Sequence, residues 1–430
     1  MTTTENIYRL FRDFPRISTD SRKIEMDSIF FALKGESFNG NTFASEALNN
    51  GAAYSIIDEK EFVTSHKTIL VNNVLATLQD LANLHRKKLG IPILAITGTN
   101  GKTTTKELVA AVLSKKFKVS FTSGNFNNHI GVPLTLLKMN SETQFGVVEM
   151  GANHIGEIAE LCKIAEPDFG IITNIGKAHL EGFGSFEGVK KTKAELFKYI
   201  KEKDGAFFYN SDNLILKTLA ENYSSKITFG NKDANFTGEL LQSPPFVHIK
   251  ANFKKGVLYL NTNLIGNYNF ENILAAACIG NYFEVNPLQI QKALKFYQPQ
   301  NNRSQLIKKG DINIIMDAYN ANPTSMEASI KSFLTNNKGD NYLILGDMLE
   351  LGKYSKEEHT RIIIFLNKVA PNKVFLIGTI FYETGYKSNF MVFQNISELN
   401  LYLRKNPIKN GNILIKGSRG IKLEKVLEYL

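Results

Sequence analysis

The sequence predicts a three-domain α/β protein, with a small N-terminal α/β module, a central doubly wound sheet and a smaller, Rossmann-like C-terminal α/β domain. The 430 residues exceed what one core usually holds, since domains run to about 100–200 residues. Short apolar runs alternate with helical segments along most of the chain, which is typical of parallel sheets. We place the domains at residues 1–80, 81–298 and 299–430.

Short strands and turns dominate the first of these units. The apolar residues 28–33 predict a strand. A helix is expected over 42–50, with Gly51 as its stop, and a second strand at 54–57. This alternation indicates a small α/β unit.

The two later units repeat a strand–helix–strand pattern. A helix over 75–89 ends at Gly90, and the apolar run 91–97 suits a strand buried on both faces. Further strands of the central unit are expected at 145–150 and 169–173, and a β-rich stretch follows at 231–262. The C-terminal unit has four expected strands, at 312–316, 341–345, 373–377 and 412–416.

The composition is that of a globular protein, with 43% hydrophobic and 21% charged residues. No run reaches the roughly 18 apolar residues that a membrane helix needs, and the N-terminal segment has no apolar core before a cleavage site. We therefore expect a cytoplasmic protein without a membrane span. The two cysteines, Cys162 and Cys278, lack CxxC or Cys/His spacing, which argues against a disulfide framework and a zinc site.

The formal net charge of +10 favours anionic partners without naming one. The lysines are dispersed, and the longest cluster, Lys190-Lys191 with Lys193, is not interleaved with aromatic residues. We therefore expect phosphorylated small molecules as partners and no nucleic acid.

A glycine-rich turn follows the run 91–97 and opens a helix. In this position glycines let backbone N–H groups surround phosphate oxygens, a lysine adds charge, and a hydroxyl can ligate Mg²⁺. Ile96 stands where the usual motif has its first glycine, so an ordinary strand–helix turn is the alternative. The candidate nucleotide-binding residues of this loop are Gly98, Thr99, Asn100, Gly101, Lys102, Thr103 and Thr104.

The short form GTNGKTT (98–104) is where the sequence first resembles the Mur ligase family and its relative folylpolyglutamate synthase. Further segments follow in the family's order and extend the resemblance over nearly the whole chain. They are NFNNHIGVP (125–133), EMGANH (149–154), TNIGKAHL (173–180), KAELF (193–197), DAYNANPTSM (317–326), LGDMLELG (345–352) and KGSR (416–419).

The last three segments resemble the subgroup that adds a D-alanyl-D-alanine dipeptide. The resemblance implies a UDP-binding module, a central ATPase domain and a C-terminal ligase domain. It also implies that ATP phosphorylates the terminal carboxylate of UDP-N-acetylmuramoyl-tripeptide, and that the amine of D-alanyl-D-alanine displaces the phosphate. Holding two anionic reactants together calls for metal ions and fixed cations, which agrees with ATP and Mg²⁺ as cofactors.

The resemblance assigns catalytic roles to Lys102, His179, Lys193 and Arg303, and Mg²⁺ contacts to Thr103, Glu149, His179 and Lys193. Glu149 ends an apolar strand, where a carboxylate can meet Mg²⁺ opposite the phosphate loop, and His179 follows another strand. Taken alone, a solvated glutamate and a hydrogen-bonded loop histidine explain these two residues as well.

Lys193 lies in a K-x-x-L-F segment that has a helical pattern. The family lysine in this setting takes up CO₂ and becomes a carbamate, which turns a cation into an anionic metal ligand. This reaction needs the neutral amine, so burial or neighbouring cations must lower the pKa of the lysine. Without the resemblance, an ordinary surface lysine is the simpler interpretation.

The resemblance implies three further nucleotide contacts. Asn272 is expected near the adenine, Arg303 at the ATP phosphates when the last domain closes, and Asp317 at a ribose hydroxyl. The segment Asn301-Asn302-Arg303 resembles the family's Asn-x-Arg at the hinge, whereas Tyr268-Asn269 stands where the family more often has His-Asn. As isolated residues, Asn and Asp also suit turns and caps.

Substrate contacts carry over to ten positions. The UDP-binding module is indicated by TDSR (19–22) and FFALKG (30–35), although Asn39-Gly40-Asn41 replaces the family's common Asp-Gly-His. The ten positions are Ser21, Arg22, Asn125, Asn128, Tyr319, Asn320, Asn322, Lys416, Ser418 and Arg419.

Two other functions compete with this interpretation. A superfamily ligase that adds glutamate to a folate would not account for the UDP-type module or for the DAYNANPTSM and KGSR segments. A non-catalytic scaffold built on a decayed ligase would have lost phosphate-loop or metal positions, yet the implied residues are present. We expect a monomer, and the sequence does not distinguish lysine from a diamino diacid as the third residue of the tripeptide.

Overall fold

The computed structural model describes residues 2–430, apart from residues 222, 242–244, 300–301, 370, 372 and 386–387. Asn301, the first residue of the expected hinge segment, therefore lies outside the described residues. Within them the chain forms sheets of four, nine and six strands and one two-stranded hairpin. The predicted three-domain α/β architecture is confirmed.

The N-terminal module contains α1 (Thr4–Asp13), β1 (Ile17–Ser18), β2 (Ile29–Phe31), β3 (Lys34–Gly35), β4 (Phe38–Asn39), α2 (Ala44–Asn49), β5 (Tyr54–Ile57) and β6 (Thr68–Leu70). Four strands form a parallel sheet in the order β1-β2-β5-β6, and β3 pairs with β4 in an antiparallel hairpin. The helix expected over 42–50 begins at Ala44, because Gly40–Phe43 forms a 3₁₀ turn that the Asn39 side chain caps.

The central part contains α3 (Val74–Leu89), β7 (Ile93–Thr97), α4 (Lys102–Leu113), β8 (Val119–Phe121), α5 (Gly131–Leu137), β9 (Phe145–Glu149), α6 (Glu157–Ala165), β10 (Phe169–Ile172), α7 (Leu180–Phe183), α8 (Phe186–Glu202), β11 (Ala206–Asn210), α9 (Leu214–Leu219), β12 (Lys226–Gly230), β13 (Phe236–Leu241), β14 (Phe246–Phe253), β15 (Gly256–Ile265), α10 (Asn269–Tyr282) and α11 (Pro287–Phe296). The sheet order is β15-β14-β13-β12-β11-β10-β7-β9-β8. The strands from β13 to β8 are parallel, and the β-rich stretch adds the antiparallel β13-β14-β15 edge.

The central sheet is buried on both faces. Alternate side chains of β7 enter two different apolar clusters, Ile93 and Ala95 in one, Leu94 and Ile96 in the other. Helices α3, α6 and α8 pack in the first cluster, and α4, α10 and α11 in the second. Burial on both sides explains why this strand is a continuous apolar run instead of an alternating one.

The C-terminal part contains β16 (Gln305–Lys309), β17 (Asp311–Asp317), α12 (Pro323–Asn336), β18 (Asn341–Gly346), α13 (Ser355–Val369), β19 (Lys373–Ile377), α14 (Thr379–Gly385), β20 (Met391–Phe393), α15 (Ile396–Lys405) and β21 (Asn410–Lys416). The sheet order is β16-β17-β21-β18-β19-β20, parallel except for the antiparallel edge strand β16. The four expected strands are confirmed, and β16 and β20 are additions.

The domain limits at 80 and 298 stay predictions. The four-stranded sheet ends at Leu70, the central sheet begins with β7, and the six-stranded sheet begins with β16. None of the helices in the described ranges has the length and apolar character needed to cross a membrane.

Candidate active site

The phosphate loop joins the carboxyl end of β7 to the first residue of α4, the place where open α/β sheets bind ligands. Two backbone N–H groups tie it to the segment after β10: Thr99 donates to the Asn174 carbonyl (2.9 Å) and Asn100 to the Asn174 side-chain oxygen (2.9 Å). Within the described chain no side chain caps the first turn of α4. Its N–H groups are therefore available to an anion.

Two loop positions require glycine. Gly98 has φ +144°, and a Cβ there would lie 2.0 Å from the Thr173 hydroxyl oxygen. Gly101 has φ +78°, and its Cβ would lie 2.5 Å from the Asn272 side-chain oxygen. That oxygen also accepts a hydrogen bond from the Thr105 hydroxyl (3.1 Å), so Asn272 lies directly behind the loop.

Lys102 is folded onto its own loop. Its ammonium donates to the carbonyls of Gly98 (2.7 Å) and Thr99 (3.0 Å). Burial lowers the pKa of Lys102, the carboxylate of Glu149 opposes this shift, and the nearby charge of Arg303 adds to it. The predicted cation is thus in place beside the loop, with a second cation close to it.

Glu149, the last residue of β9, forms a carboxylate pocket beside the loop. Its Oε1 accepts hydrogen bonds from the Asn127 amide (2.8 Å) and the Thr103 hydroxyl (3.2 Å). Its Oε2 is buried without a hydrogen-bond partner in the described chain, and the Lys106 ammonium lies 3.7 Å from it. Glu149 and Thr103, the two predicted Mg²⁺ contacts beside the loop, therefore lie next to each other.

This pocket fits Mg²⁺. A carboxylate oxygen without a hydrogen-bond partner in the described chain and a threonine hydroxyl are the hard oxygen ligands that this ion prefers, and Mg²⁺ usually keeps several waters besides. Among the described residues no three His, Cys, Asp or Glu side chains gather closely enough to hold a metal ion by themselves. Within the described residues, Glu149 and Thr103 are the oxygen ligands that this pocket brings together.

Lys193 lies on α8 and is buried, with 2% of its surface exposed, so the surface-lysine alternative does not hold. Its ammonium lies over the ring of Phe183, 5.5 Å from the centroid. Burial, and secondly the charge of Lys102, lower the pKa of Lys193 to about 7, against the opposing effect of Glu157 and Glu195. About half of the amine is therefore neutral at pH 7 and most of it at higher pH, and this neutral form is the one that carbamate formation requires.

The C-terminal domain contacts the phosphate loop directly. The Asn322 amide donates to the Asn100 side-chain oxygen (2.7 Å), and the Lys177 backbone N–H donates to the Thr324 hydroxyl (3.2 Å). Asn322 also caps α12 with its own side chain. The start of this helix thus rests on the loops that follow β7 and β10.

A second contact between the domains involves His179. Its Nδ1 lies 2.7 Å from the Glu350 carboxylate, and this interaction lowers the pKa of Glu350. Both residues have left-handed backbone, with φ of +50° and +66°. Nearby, the Lys177 ammonium lies 2.5 Å from the buried carboxylate of Glu358 on α13.

The carboxyl ends of β17 and β21 carry the other predicted groups. The Asp317 carboxylate accepts hydrogen bonds from the ammonium of the buried Lys416 (2.6 Å) and from the Ser329 hydroxyl (2.9 Å). The Ser418 hydroxyl accepts the Leu349 N–H (2.9 Å). Asn320 is exposed.

Three aromatic and cationic side chains meet at the same edge. The guanidinium carbon of Arg303 lies 3.6 Å from the centroid of the Tyr319 ring, and that of Arg419 lies 5.6 Å from it. The Nε of Arg303 is buried without a hydrogen-bond partner in the described chain.

Family comparison agrees with this site. Residues 14–97 match the catalytic domain of the Mur ligase family, residues 96–280 the Mur ligase middle domain, and residues 302–384 the Mur ligase glutamate ligase domain. The UDP-N-acetylmuramoyl-tripeptide–D-alanyl-D-alanine ligase of Bacillus subtilis (strain 168) is 35% identical over 427 residues, which covers 96% of this chain and 92% of the relative.

The chain belongs to the Mur ligase family.

Two solved Mur ligases have the same fold over the same length. MurF from Acinetobacter baumannii is 29% identical with a TM-score of 0.89, covering 96% of this chain and 92% of the other. The MurF ligase of Thermotoga maritima, in complex with ADP, is 29% identical with a TM-score of 0.85 and 96% coverage of both chains. The predicted resemblance to Mur ligases is confirmed.

The remaining predicted substrate residues of this Mur ligase lie in separate places. Ser21 and Arg22 form part of a 3₁₀ turn in the N-terminal module, where Arg22 pairs with Asp20 at 2.8 Å. Asn125 is exposed, and Asn128 accepts the Gly131 N–H (2.9 Å) at the start of α5. Their substrate roles stay predictions.

The two departures from the Mur ligase pattern have structural accounts. Asn39 and Asn41 bond to each other and to the carboxylates of Glu59 and Asp58, which also pair with Lys34. Tyr268 shares a 2.7 Å hydrogen bond with Ser304 at the junction of the last domain. Neither segment is left without partners.

Sequence reasoning missed four residues of this site: Asn127, Lys106, Glu350 and Glu358. Asn127 lies inside the NFNNHIGVP segment, and Lys106 lies four residues after Lys102, on the same face of α4. The sequence pattern could therefore have identified both residues as part of the site. Glu358 had none, because only the docking of α13 brings it to Lys177.

Proposed function

We propose that this chain catalyses the ATP-dependent ligation of D-alanyl-D-alanine to UDP-N-acetylmuramoyl-tripeptide through an acyl phosphate. The reaction completes the cytoplasmic peptidoglycan precursor. One observation carries the proposal: of the two segments typical of this ligase subgroup, DAYNANPTSM contacts the phosphate loop through Asn322 on Asn100, and KGSR contacts DAYNANPTSM through Lys416 on Asp317. The 35% identity to a ligase of this name over nearly its whole length supports it.

The nucleotide contacts follow from the loop. The N–H groups of 98–104 and the first turn of α4 surround the phosphates, and Lys102 exchanges its two loop carbonyls for a phosphate oxygen. Arg303 directs its free Nε to the same phosphates, because a buried donor without a partner is costly until an acceptor arrives. Asn272 lies on the adenine side and Asp317 on the ribose side.

Glu149 and Thr103 would hold Mg²⁺, with His179 and a carbamate on Lys193 as further ligands. When bound, the ion neutralises charge between the γ-phosphate and the incoming carboxylate. The neutral amine of Lys193 attacks CO₂, the new N–C bond forms, and the amine proton leaves to solvent, so that an anionic oxygen pair replaces a cation. To bind the ion, His179 would give up its contact with the Glu350 carboxylate.

The test is the product formed by the purified protein. The protein is incubated with ATP, D-alanyl-D-alanine and UDP-N-acetylmuramoyl-tripeptide, with the lysine and the diamino-diacid tripeptide assayed separately. Mass spectrometry should show the UDP-linked pentapeptide. A parallel reaction with tetrahydrofolate and glutamate should give no product. Folate product without pentapeptide would replace this proposal by the folate alternative.

A further inference from the structure

The Tyr319 ring joins three separate segments of the C-terminal domain. Arg303 precedes β16, Tyr319 follows β17, and Arg419 begins the 3₁₀ turn after β21. Strands β17 and β21 are parallel neighbours with Asp317 opposite Lys416, so their carboxyl ends open at the same edge. Both guanidinium groups lie over the ring, at 3.6 Å and 5.6 Å from its centroid.

The backbone on both sides of Arg303 is constrained. Asn302 and Ser304 have left-handed φ of +55° and +52°, which persists only where the surroundings hold it. Ser304 is held twice, since its N–H donates to Asp317 (3.3 Å) and its hydroxyl bonds to Tyr268 (2.7 Å). The main chain of Arg303 is thus fixed from one side, and its side chain is fixed by the ring of Tyr319.

These contacts leave one donor of the Arg303 guanidinium without an acceptor in the described residues. Its Nε is buried without a partner in the described chain, and its charge acts on Lys102 strongly enough to lower that pKa further. Two cations this close repel each other, whereas the negative face of an aromatic ring attracts a guanidinium and offsets part of that repulsion.

We propose that Tyr319 is a positioning residue: its ring holds the guanidinium groups of Arg303 and Arg419 ready for the transferring phosphate. The inference rests on the proposed function and changes one part of it. Tyr319 is a predicted substrate contact, and the ring face that Arg303 covers at 3.6 Å is closed to a substrate group. The inference is that Tyr319 acts through the arginines.

The test compares Tyr319→Leu with the conservative Tyr319→Phe in steady-state ligation. Leucine removes the ring, so kcat should fall by about 10- to 100-fold, with the KM for the UDP-tripeptide changed by less than about threefold. Phenylalanine keeps the ring and should restore kcat to within about threefold of the parent. Tyr342→Leu is the matched control, because Tyr342 in β18 carries Lys373 over its ring at 5.5 Å, in the same domain. Its kcat should be unchanged.

A double variant shows whether Tyr319 acts through Arg303. In an Arg303→Ala background, Tyr319→Leu should lose most of its effect, because non-additivity is the sign of a shared action. A full 10- to 100-fold loss in both backgrounds, or a rise in the KM for the tripeptide at constant kcat, would assign Tyr319 to the substrate and overturn the inference.

Failure of the proposed function can be distinguished from failure of this inference. If the parent forms no pentapeptide, the proposed function fails and the kinetic comparison has no meaning. The inference is then tested by calorimetric titration with the non-hydrolysable analogue AMPPCP, which needs no turnover. Tyr319→Leu should weaken AMPPCP binding, Tyr319→Phe and Tyr342→Leu should not, and equal affinities for all four proteins would overturn it.

Discussion

At the scale of single residues, the environment of Lys193 decides its chemistry. The sequence predicted that this lysine must have a lowered pKa, and the structure gives the cause: burial on α8 and the charge of Lys102 lower the pKa to about 7. No spacing rule could supply that value, because it depends on groups from two distant helices.

A carbamate on Lys193 predicts a dependence on pH and bicarbonate. Below pH 7 the amine is mostly protonated and cannot attack CO₂, whereas above pH 7 the neutral form dominates. Added bicarbonate should therefore raise the ligation rate of CO₂-depleted protein at pH 8 and have little effect at pH 6. The measurement is the initial rate at both pH values.

Variants of Lys193 are the control for this effect. Lys193→Ala and Lys193→Arg should each lose at least about 10²-fold in kcat, since neither side chain can take up CO₂, and neither should respond to bicarbonate. A Lys193→Arg variant that turns over like the parent would remove the carbamate from the mechanism.

At the scale of elements, the apolar runs predicted about half of the strands, and physical context explains two that they missed in the C-terminal part, β16 and β20. β16 (QLIKK) is a mostly exposed edge strand, and β20 has three half-buried residues, so neither has the apolar run that marks a buried strand. The loop between β7 and α4 was predictable because glycine, lysine and threonine each have one role there. The hydrogen bond of Asn272 with Thr105, which lies just after that loop and 167 positions away in the sequence, was not predictable.

Replacing Gly98 by alanine should disable this loop. The new Cβ would meet the Thr173 hydroxyl at 2.0 Å, at a φ of +144° that alanine avoids. We expect ADP affinity to fall by more than tenfold in calorimetric titration. Gly90→Ala is the matched control, because Gly90 also has positive φ (+63°) but has nothing within 4 Å of its Cβ position.

The control variant should lower stability by about 1–2 kcal/mol and leave ADP affinity intact. Equal ADP affinity of Gly98→Ala and the parent would show that the loop does not hold the phosphates.

At the scale of the whole molecule, the ion pair of Lys177 and Glu358 links the central and C-terminal domains. The Glu358 side chain is 2% exposed and that of Lys177 is 38% exposed, so the pair is partly screened by solvent. Arg361 lies on the same helix, 3.5 Å from Glu358, and stays with it if the domains part.

Breaking this pair should loosen the docking of the last domain. Lys177→Met leaves a buried carboxylate at the interface without its cation from the central domain, and should raise the radius of gyration in small-angle scattering. Adding Glu358→Gln removes that charge, so the double variant should be more compact than Lys177→Met alone.

The control is Lys118→Met with Glu142→Gln, an exposed pair at 3.0 Å that should have no effect. Identical scattering of Lys177→Met and the parent would show that this pair does not hold the domains together.

In this protein, ATP cleavage is expected to be coupled to the joining of two substrates. The most direct measurement is phosphate release from ATP with UDP-N-acetylmuramoyl-tripeptide alone, with D-alanyl-D-alanine alone, with both and with neither. The acyl phosphate turns over only when the dipeptide amine displaces it, so sustained release should require both substrates. Equal phosphate release in the absence of either substrate would contradict a ligase mechanism.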